Sequence, residues 1–263
     1  MERKQNSHKG DNGVVAVIGG SRTMHGAPLM SALAAERSGA DLVHVLLPAC
    51  HQEVAKMTSL NFQVHPFRGE SLGSADIEPI LELLATMDCA VLGPGIEHHN
   101  TESKKALLQI VDSASCTLVL DAAALQQETL QLTRDKTVVL TPHLGELERM
   151  GIMPESVQDA AREYGVTFLL KGTEDTVLTP NTDPERITGG NAGLTTGGTG
   201  DILAGLTAGL ISQHMEPRAA CILASNVIKS CADVLLEEKG FAYTAYDIIA
   251  CLPRTLHNLS PAH

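Results

Sequence analysis

The sequence predicts an α/β protein in which a mainly parallel sheet is flanked by helices on both faces. Short β-rich segments alternate with helical segments from residue 14 to residue 178, and several of the β-rich segments are apolar at every position. Strands enclosed between two helix layers are buried on both faces, which explains their lack of polar–apolar alternation. The last third of the chain shows helical patterns only.

Seven apolar segments are predicted to be strands: Val14–Ile18, Leu42–Leu47, 90–92, Thr117–Leu120, 137–140, Thr167–Leu170 and 176–178. Helical patterns fall between them at 28–37, Gln52–Thr58, 77–86, 102–112, 145–150 and 157–163, and then at 199–235 and 246–256. No linker-like stretch or long-period repeat interrupts residues 14–263. We therefore expect one domain there, preceded by a loose polar lead-in at residues 1–13.

Charge and composition exclude two classes of partner. The 263 residues carry 31 acidic and 19 basic side chains, so the net charge is −12 with neutral histidines. Nucleic-acid binding needs clustered Lys and Arg, often with aromatic platforms, whereas this chain has only three Tyr, four Phe and no Trp. The longest apolar run, at residues 202–211, is about half as long as a membrane span. We expect neither a nucleic-acid partner nor a membrane partner.

The six cysteines show no metal-site or redox pattern. They lie at positions 50, 89, 116, 221, 231 and 251, without a Cys-x-x-Cys pair. The first residues also lack the pattern of a signal peptide. We expect free thiols and a cytoplasmic location.

The most informative segment is a glycine-rich loop that runs directly into a helical pattern. Six of the twelve residues before Asp201 are glycine, and the last four are Gly197, Gly198, Thr199 and Gly200. Glycines let backbone N–H groups turn toward one point, and the first N–H groups of a helix have no internal partner. Together they form a site suited to phosphate. The loop matches neither a P-loop nor the dinucleotide G-x-G-x-x-G pattern.

Asp201 has a structural and a chemical interpretation. An acid in the first turn of a helix is favourable because the helix N-terminus carries partial positive charge. A carboxylate beside a bound phosphate can also accept a proton from an attacking hydroxyl while the loop N–H groups stabilise the developing charge. Those groups are the minimum that phosphoryl transfer requires.

The segment GGTGDILAG at residues 197–205 resembles the signature of the ribokinase-like superfamily, and more specifically of its NAD(P)H-hydrate dehydratase branch, also called carbohydrate kinase-related. Further segments match in the expected order, so that the resemblance covers residues 14–258. These segments are GGSRTMHGAP at 19–28, LGPG at 92–95, LVLDAAAL at 118–125, LTPHLGE at 140–146 and FLLKGTEDTV at 168–177. The resemblance implies a ribokinase-like, three-layer α/β/α fold.

The same resemblance implies roles for individual residues. It assigns catalysis to Asp201 as the base, together with Gly198, Thr199 and Gly200. It assigns substrate binding to Ala27, Gly93, Gly95, His143 and Asp201. It assigns nucleotide binding to Lys171, Gly172, Thr173, Glu174, Asp175, Thr176, Gly197, Gly198 and Gly200. Glu146 corresponds to a carboxylate that helps organise magnesium through water, in keeping with the preference of Mg²⁺ for few acids and several waters.

Two departures from the family pattern affect these assignments. The pattern Asp-Ala-Asp-Ala-Leu has Ala123 in place of its second acid, so this chain lacks the carboxylate to which the family gives a polar or metal-side role. Asp121 remains, either to cap the following helix or to face the site. The interval from Lys171 to Thr176 is one residue longer than in the family, so the individual nucleotide contacts are less well defined.

The activity implied by the resemblance is repair of the hydrated cofactors NADHX and NADPHX. ADP, or alternatively ATP, would phosphorylate the ring hydroxyl with Mg²⁺ as cofactor, and loss of phosphate would restore NADH or NADPH. The family also implies a homo-oligomer, with a tetramer among the options. An NAD(P)H-hydrate epimerase is expected to act in the same pathway from another chain, since residues 1–13 are too short to encode one.

Two other functions remain open at this stage. A ribokinase-like kinase for a hydroxymethylpyrimidine or hydroxyethylthiazole alcohol would use the glycine loop and Asp201 in the same way. A nucleotide-binding relative without turnover is the second alternative, because Ala123 replaces an acid. The segments TPHLGE and GPG favour the dehydratase over the kinase.

Overall fold

A computed structural model describes residue 3 and residues 6–260 of the chain. The strands are β1 Val14–Ile18, β2 Leu42–Leu47, β3 Phe62–Pro66, β4 Cys89–Leu92, β5 Thr117–Leu120, β6 Val138–Leu140, β7 Thr167–Leu170, β8 Asp175–Thr179 and β9 Thr182–Ile187. The α-helices are α1 Gly26–Arg37, α2 Gln52–Thr58, α3 Ile77–Leu84, α4 Thr101–Ser113, α5 Leu144–Arg149, α6 Val157–Tyr164, α7 Thr199–Ser212, α8 Pro217–Lys239 and α9 Ala245–Leu259.

All nine strands join one sheet in the order β3-β2-β1-β4-β5-β6-β7-β8-β9. Pairing is parallel from β3 through β7 and antiparallel for β7–β8 and β8–β9. The predicted mainly parallel sheet is therefore confirmed. Because parallel strands all point the same way, the loops that follow β1, β4, β5, β6 and β7 meet at the carboxyl-terminal end of the sheet, where α/β proteins usually bind ligands.

Alternating residues of each central strand face two separate apolar layers. In β1, Val15 and Val17 pack with α1, α7, α8 and α9, whereas Ala16 and Ile18 pack with α3, α4, α5 and α6. Full burial of both sets explains why these strands appear as uninterrupted apolar runs in the sequence. The three-layer arrangement predicted from the sequence is confirmed.

Helix α7 packs unusually close to α1 because small residues line the contact. A Cβ atom on Gly205 would overlap the main-chain carbonyl of Ser31. The Ser31 hydroxyl in turn donates a hydrogen bond to the carbonyl oxygen of Asp201, 2.8 Å away. This contact fixes the first turn of α7, and with it the end of the glycine loop, relative to the centre of the sheet.

The two edge strands were not predicted. The first five residues of β9 are exposed, and the strand contains Pro184. Strand β3 is only partly buried and ends at Pro66. Edge strands face solvent and tolerate proline, so they lack the continuous apolar signal that identified the central strands.

The described residues of the polar lead-in make specific contacts with the body of the protein. Backbone N–H groups of Gly10 and Asn12 each donate to Oδ2 of Asp41 at 3.0 Å, and the Asn12 side-chain amide does the same. Asp41 directly precedes β2. The lead-in is therefore attached to the amino-terminal end of the sheet, away from the edge where the loops converge.

One helical segment, Pro217–Ala242, is long and apolar enough to cross a membrane by length and composition alone. Its most apolar window has a mean hydropathy of 1.6, and 56% of that window is buried inside the protein. Polar residues such as Asn226 and Lys229 interrupt its apolar sequence, so a search for long uninterrupted apolar runs does not detect this segment. Its burial against α7 and α9 is typical of a core helix, which passes the same test.

Candidate active site

Charged side chains from three strand ends meet near the start of α7. Asp121 directly follows β5, Glu146 lies in the first turn of α5 after β6, and Lys171 directly follows β7. The Lys171 ammonium contacts Oδ1 of Asp121 at 2.7 Å and Oε2 of Glu146 at 3.4 Å. Thr141 adds a hydrogen bond to the same Asp121 oxygen at 2.9 Å. Asp121, whose role was left open by the sequence, therefore faces the site.

The ammonium of Lys171 is held in its charged form. Burial alone lowers the pKa of Lys171, but the carboxylates of Asp121 and Glu146 outweigh that effect, and the net pKa is raised. The ammonium also lies beside the glycine loop, because a Cβ atom on Gly200 would be 3.5 Å from its Nζ atom. Lys171 thus links the acids at the strand ends to the first turn of α7.

Asp201 is electrostatically coupled to this cluster. Burial, together with the negative charges of Asp121 and Glu146 and against the opposing charge of Lys171, raises the pKa of Asp201 from 3.8 to about 7. A carboxyl group with a pKa near neutrality can accept a proton and release it again at neutral pH. The environment of Asp201 therefore suits the general base predicted from the sequence.

Glu146 and His143 form the N-terminal cap of α5. The backbone N–H of His143 donates to Oε2 of Glu146 at 2.9 Å, and the N–H of Glu146 donates to the His143 ring at 3.2 Å. The His143 side chain is 58% exposed, whereas the Glu146 side chain is buried and also lies 3.6 Å from Arg149. His143 is therefore accessible to a ligand, and Glu146 is already bonded within the protein.

The protein groups do not make a magnesium site by themselves. Among the described residues no set of three or more His, Cys, Asp or Glu side chains could hold a metal ion. Glu146 and Asp121 are both paired with Lys171, which occupies one oxygen of each carboxylate and offsets part of their negative charge. The structure therefore gives no direct support to Glu146 as a magnesium residue.

The predicted substrate-binding glycines lie where strand-end loops approach one another. Gly95 has a φ of +72°, and a Cβ atom there would be 3.2 Å from the Cβ of Ala27 and 2.8 Å from the carbonyl of Met24. Gly93 has a φ of +114°, and a Cβ atom there would overlap the carbonyl of Asp121. The structure thus brings Ala27 and Gly95 together and places Gly93 beside the acid cluster.

A cavity of about 100 Å³ lies between the β7–β8 turn, the start of α7 and helix α8. It is lined by Lys171, Gly172, Asp175, Leu194, Thr199, Gly200, Leu203, Ile228 and Lys229. The lining combines apolar side chains with two lysines, an aspartate and two glycines, groups that can contact part of a nucleotide. Four of the residues predicted to bind nucleotide line it, namely Lys171, Gly172, Asp175 and Gly200.

The remaining residues of that predicted set differ in how they relate to the cavity. Glu174 pairs with Arg186 at the surface, 2.9 Å away, and Thr176 lies within β8. Thr173 contributes its carbonyl oxygen, which accepts a hydrogen bond from Lys229.

The end of the glycine loop has the backbone geometry of a helix start. Gly198 is the N-terminal cap residue of α7 and has a φ of +100°, a conformation that side chains other than glycine rarely adopt. Gly197 is exposed, with open space where a Cβ atom would lie. The Thr199 hydroxyl donates to the carbonyl of Leu194 at 2.7 Å. These features fix the conformation of the loop where it enters α7.

Sequence reasoning missed one residue of this site and left another unassigned. Asp121 carried a usable signal because it ends a buried strand, as Lys171 does. Lys229 carried none, since it lies in the middle of α8 and contacts the site only through the tertiary structure.

The parallel sheet, the glycine loop at the start of α7 and the adjoining Asp201 define a ribokinase-like enzyme of the phosphoryl-transfer type. A family model described as NAD(P)H-hydrate dehydratase matches residues 15–254. The chain belongs to this family.

Individual relatives agree with this assignment. The chain is 36% identical to the ADP-dependent (S)-NAD(P)H-hydrate dehydratase of Nitrosopumilus maritimus, over 94% of this chain and 89% of the relative. A ribokinase-like superfamily protein from Enterococcus faecalis is 25% identical with a TM-score of 0.83, covering 98% of this chain and 91% of that one. The ADP/ATP-dependent NAD(P)H-hydrate dehydratase from Bacillus subtilis, co-crystallised with ATP and Mg²⁺, is 26% identical with a TM-score of 0.80, covering 98% and 93%. The predicted fold class and family are confirmed.

Proposed function

We propose that this protein is an ADP-dependent NAD(P)H-hydrate dehydratase that restores NADH and NADPH from their hydrated forms. The observation that carries the proposal is the position of Asp201, a carboxyl group of near-neutral pKa at the start of α7, beside a cavity that Lys171 and the glycine loop line. The 36% identity to a dehydratase of that name over nearly the whole chain supports the same reaction.

The first step is phosphoryl transfer to the ring hydroxyl of the hydrate. Asp201 accepts the hydroxyl proton while the hydroxyl oxygen forms a bond to the terminal phosphorus of ADP. The bond from that phosphorus to the bridging oxygen breaks, and AMP leaves with the electron pair. Backbone N–H groups of residues 197–200 stabilise the negative charge on the transferring group, which is the main contribution a preorganised loop makes.

The second step is elimination of phosphate. Hydroxide is a poor leaving group, but the phosphate ester departs with its electron pair, assisted by the ring nitrogen. A proton leaves the neighbouring carbon, and the ring double bond is restored. The products are NAD(P)H, AMP and inorganic phosphate.

We assign the two ligands to the two parts of the site. The hydrate occupies the region between Ala27, Gly95 and the exposed His143, next to Gly93 and Asp201. The nucleotide occupies the cavity formed by residues 171–176, 197–200 and α8, with its terminal phosphate toward Gly200. Lys171 lies between the two ligands and balances the acids around the transferring group.

Magnesium is proposed to arrive with the nucleotide. Mg²⁺ commonly binds through substrate phosphates and waters with one or two carboxylates, which agrees with the lack of a protein-only metal site among residues 3 and 6–260. Water-mediated contact with Glu146 remains a prediction. ATP as an alternative donor is supported by the ATP-bound relative from Bacillus subtilis.

Three further predictions from the sequence are retained as proposals: a homo-oligomer, a cytoplasmic location, and an NAD(P)H-hydrate epimerase in the same pathway. The epimerase proposal follows from the name of the Nitrosopumilus relative, which specifies one epimer of the hydrate. The opposite epimer would need conversion before a site of that specificity could use it.

The test is recovery of the nicotinamide absorbance band from the S epimer of NADHX. We expect recovery with ADP and Mg²⁺, and a loss of about 10²–10⁴-fold in kcat for Asp201→Asn, since a general base contributes about that factor. Asp112→Asn is the matched control, because Asp112 is exposed at the end of α4, at the amino-terminal end of the sheet and away from the site. Failure of the wild-type protein to restore absorbance with either ADP or ATP would refute the function. Phosphorylation of a pyrimidine alcohol instead would select the kinase alternative.

A further inference from the structure

A buried lysine in helix α8 connects two walls of the nucleotide cavity. The side chain of Lys229 is 5% exposed. Its ammonium donates to the carbonyl oxygen of Thr173 at 3.1 Å and to that of Gly189 at 3.4 Å. It also lies 3.6 Å from Oδ2 of Asp175. The ammonium therefore has two hydrogen-bond acceptors and one ion-pair partner within the protein.

The two carbonyls belong to different segments, and other residues of each segment line the cavity. Thr173 is in the turn between β7 and β8, and Gly189 begins the glycine-rich segment that leads to α7. These residues are far apart along the chain, and Lys229 joins them through one atom. Asp175 balances the positive charge of Lys229 within the protein, so the lysine does not need a bound phosphate as its counter-ion.

Asp175 extends the connection from the lysine to the β7–β8 turn. Its Oδ1 atom accepts a hydrogen bond from the backbone N–H of Gly172 at 2.9 Å, and its Oδ2 atom accepts one from the buried Ser225 hydroxyl at 2.6 Å. Ser225 is one helical turn before Lys229 on α8. The turn is therefore held to α8 at two points.

We propose that Lys229 is a positioning residue for the nucleotide, because its ammonium holds the Thr173 turn and the Gly189 segment in a fixed relative position beside the cavity. This inference rests on the proposed function for the identity of the nucleotide. Lys229 acts through the backbone of both walls. The hydrate region at Ala27, Gly95 and His143 is built from other loops, so Lys229 leaves hydrate binding unchanged.

The experiment measures ADP binding calorimetrically, with Mg²⁺ and without hydrate, in the full-length protein. Lys229→Met should raise the Kd for ADP about tenfold, the effect of losing one well-placed interaction. Lys136→Met is the matched control, since Lys136 also donates to carbonyls, those of Val111 and Ala114, but does so at the amino-terminal edge of the sheet. The control should change the Kd for ADP less than about twofold.

Steady-state kinetics separate a positioning role from general damage. Lys229→Met should raise the KM for ADP in parallel with its Kd, while kcat at saturating ADP and the KM for the hydrate stay within about threefold of wild type. An unchanged Kd for ADP would overturn the proposal. An equal rise in the KM for the hydrate would also overturn it, because that result indicates disruption of the whole site.

A second variant keeps the proposal testable if Lys229→Met fails to fold. Ser225→Ala removes only the hydroxyl that holds Asp175, and it should raise the Kd for ADP about threefold. An unchanged Kd in this variant would contradict the proposed connection. Because ADP binding is measured without the hydrate, a protein that binds ADP but restores no NADH would refute the proposed function and leave the role of Lys229 intact.

Discussion

Replacement of Asp201 by Asn should stabilise the protein while it removes activity. In the folded state, burial and the neighbouring acids hold the pKa of Asp201 at about 7, compared with 3.8 for an ordinary Asp. The folded protein therefore binds this proton more tightly than the unfolded chain does. Its stability falls as the pH rises from about 4 to about 7 and then stays constant, because the buried group loses its proton in both states above that range. Asparagine carries no charge at any of these pH values, so the Asp201→Asn variant does not lose stability in this way.

The magnitude follows from the size of the shift. A shift from 3.8 to about 7 is about three pKa units, which corresponds to about 4 kcal/mol at pH values above 7. Below about pH 4 the carboxyl group is neutral in both states, so the variant and the wild type should be equally stable. The difference between the two proteins should therefore grow steadily across the acidic range.

The assay is denaturant unfolding of both proteins at a series of pH values from about 4 to about 8. Asp247→Asn is a control of opposite sign, because hydrogen bonds from Lys239 and Thr244 lower the pKa of Asp247 to about 2. Its removal should reduce stability at neutral pH. A gain of less than about 1 kcal/mol for Asp201→Asn at pH 8, or a gain independent of pH, would refute the reasoning about burial.

Two further predictions concern packing and histidine burial. Gly205→Ala should destabilise the protein by about 1–3 kcal/mol, because its Cβ atom would overlap the carbonyl of Ser31. Gly26→Ala is the control: its Cβ atom meets open space, so the melting temperature should stay nearly unchanged. Burial and the neighbouring His65 lower the pKa of His44 from 6.5 to about 4, so stability should fall by about 3 kcal/mol as the pH drops from 6.5 to 4. His44→Gln should flatten that profile in chemical denaturation, and an unchanged slope would contradict it.

The accuracy of the sequence predictions depended on where each element lies in the sheet. Strands β1, β2, β5 and β7 have the predicted boundaries because burial between two helix layers makes nearly every position in them apolar. Strands β3 and β9 escaped prediction because each lies at an edge, where only one neighbour and partial burial constrain the residues. Most helix positions were predicted within a few residues, but the helical pattern predicted at 199–235 is divided in the structure into α7 and α8 by residues 213–216. Helix α7 is buried over most of its surface, so its sequence lacks the one-sided apolar periodicity that marks the limits of a surface helix.

The sequence by itself determined the features that depend on contiguous residues. The glycine loop, the start of α7 and Asp201 follow one another along the chain, so their joint suitability for phosphate is visible without a structure. The order of strands and helices likewise predicts a parallel sheet, because each strand must be followed by a crossover before the next parallel one.

Only the tertiary structure decided which distant side chains share the site. Lys171 meets Asp121 and Glu146 because parallel strands end on the same side of the sheet, and this contact showed that both acids already share an ion-pair partner within the protein. Lys229 reaches the cavity from the middle of a helix, through carbonyl groups that every residue possesses. Every residue has a backbone carbonyl, so the sequence does not show which carbonyls accept the hydrogen bonds of Lys229. Such contacts exist only once the chain has folded.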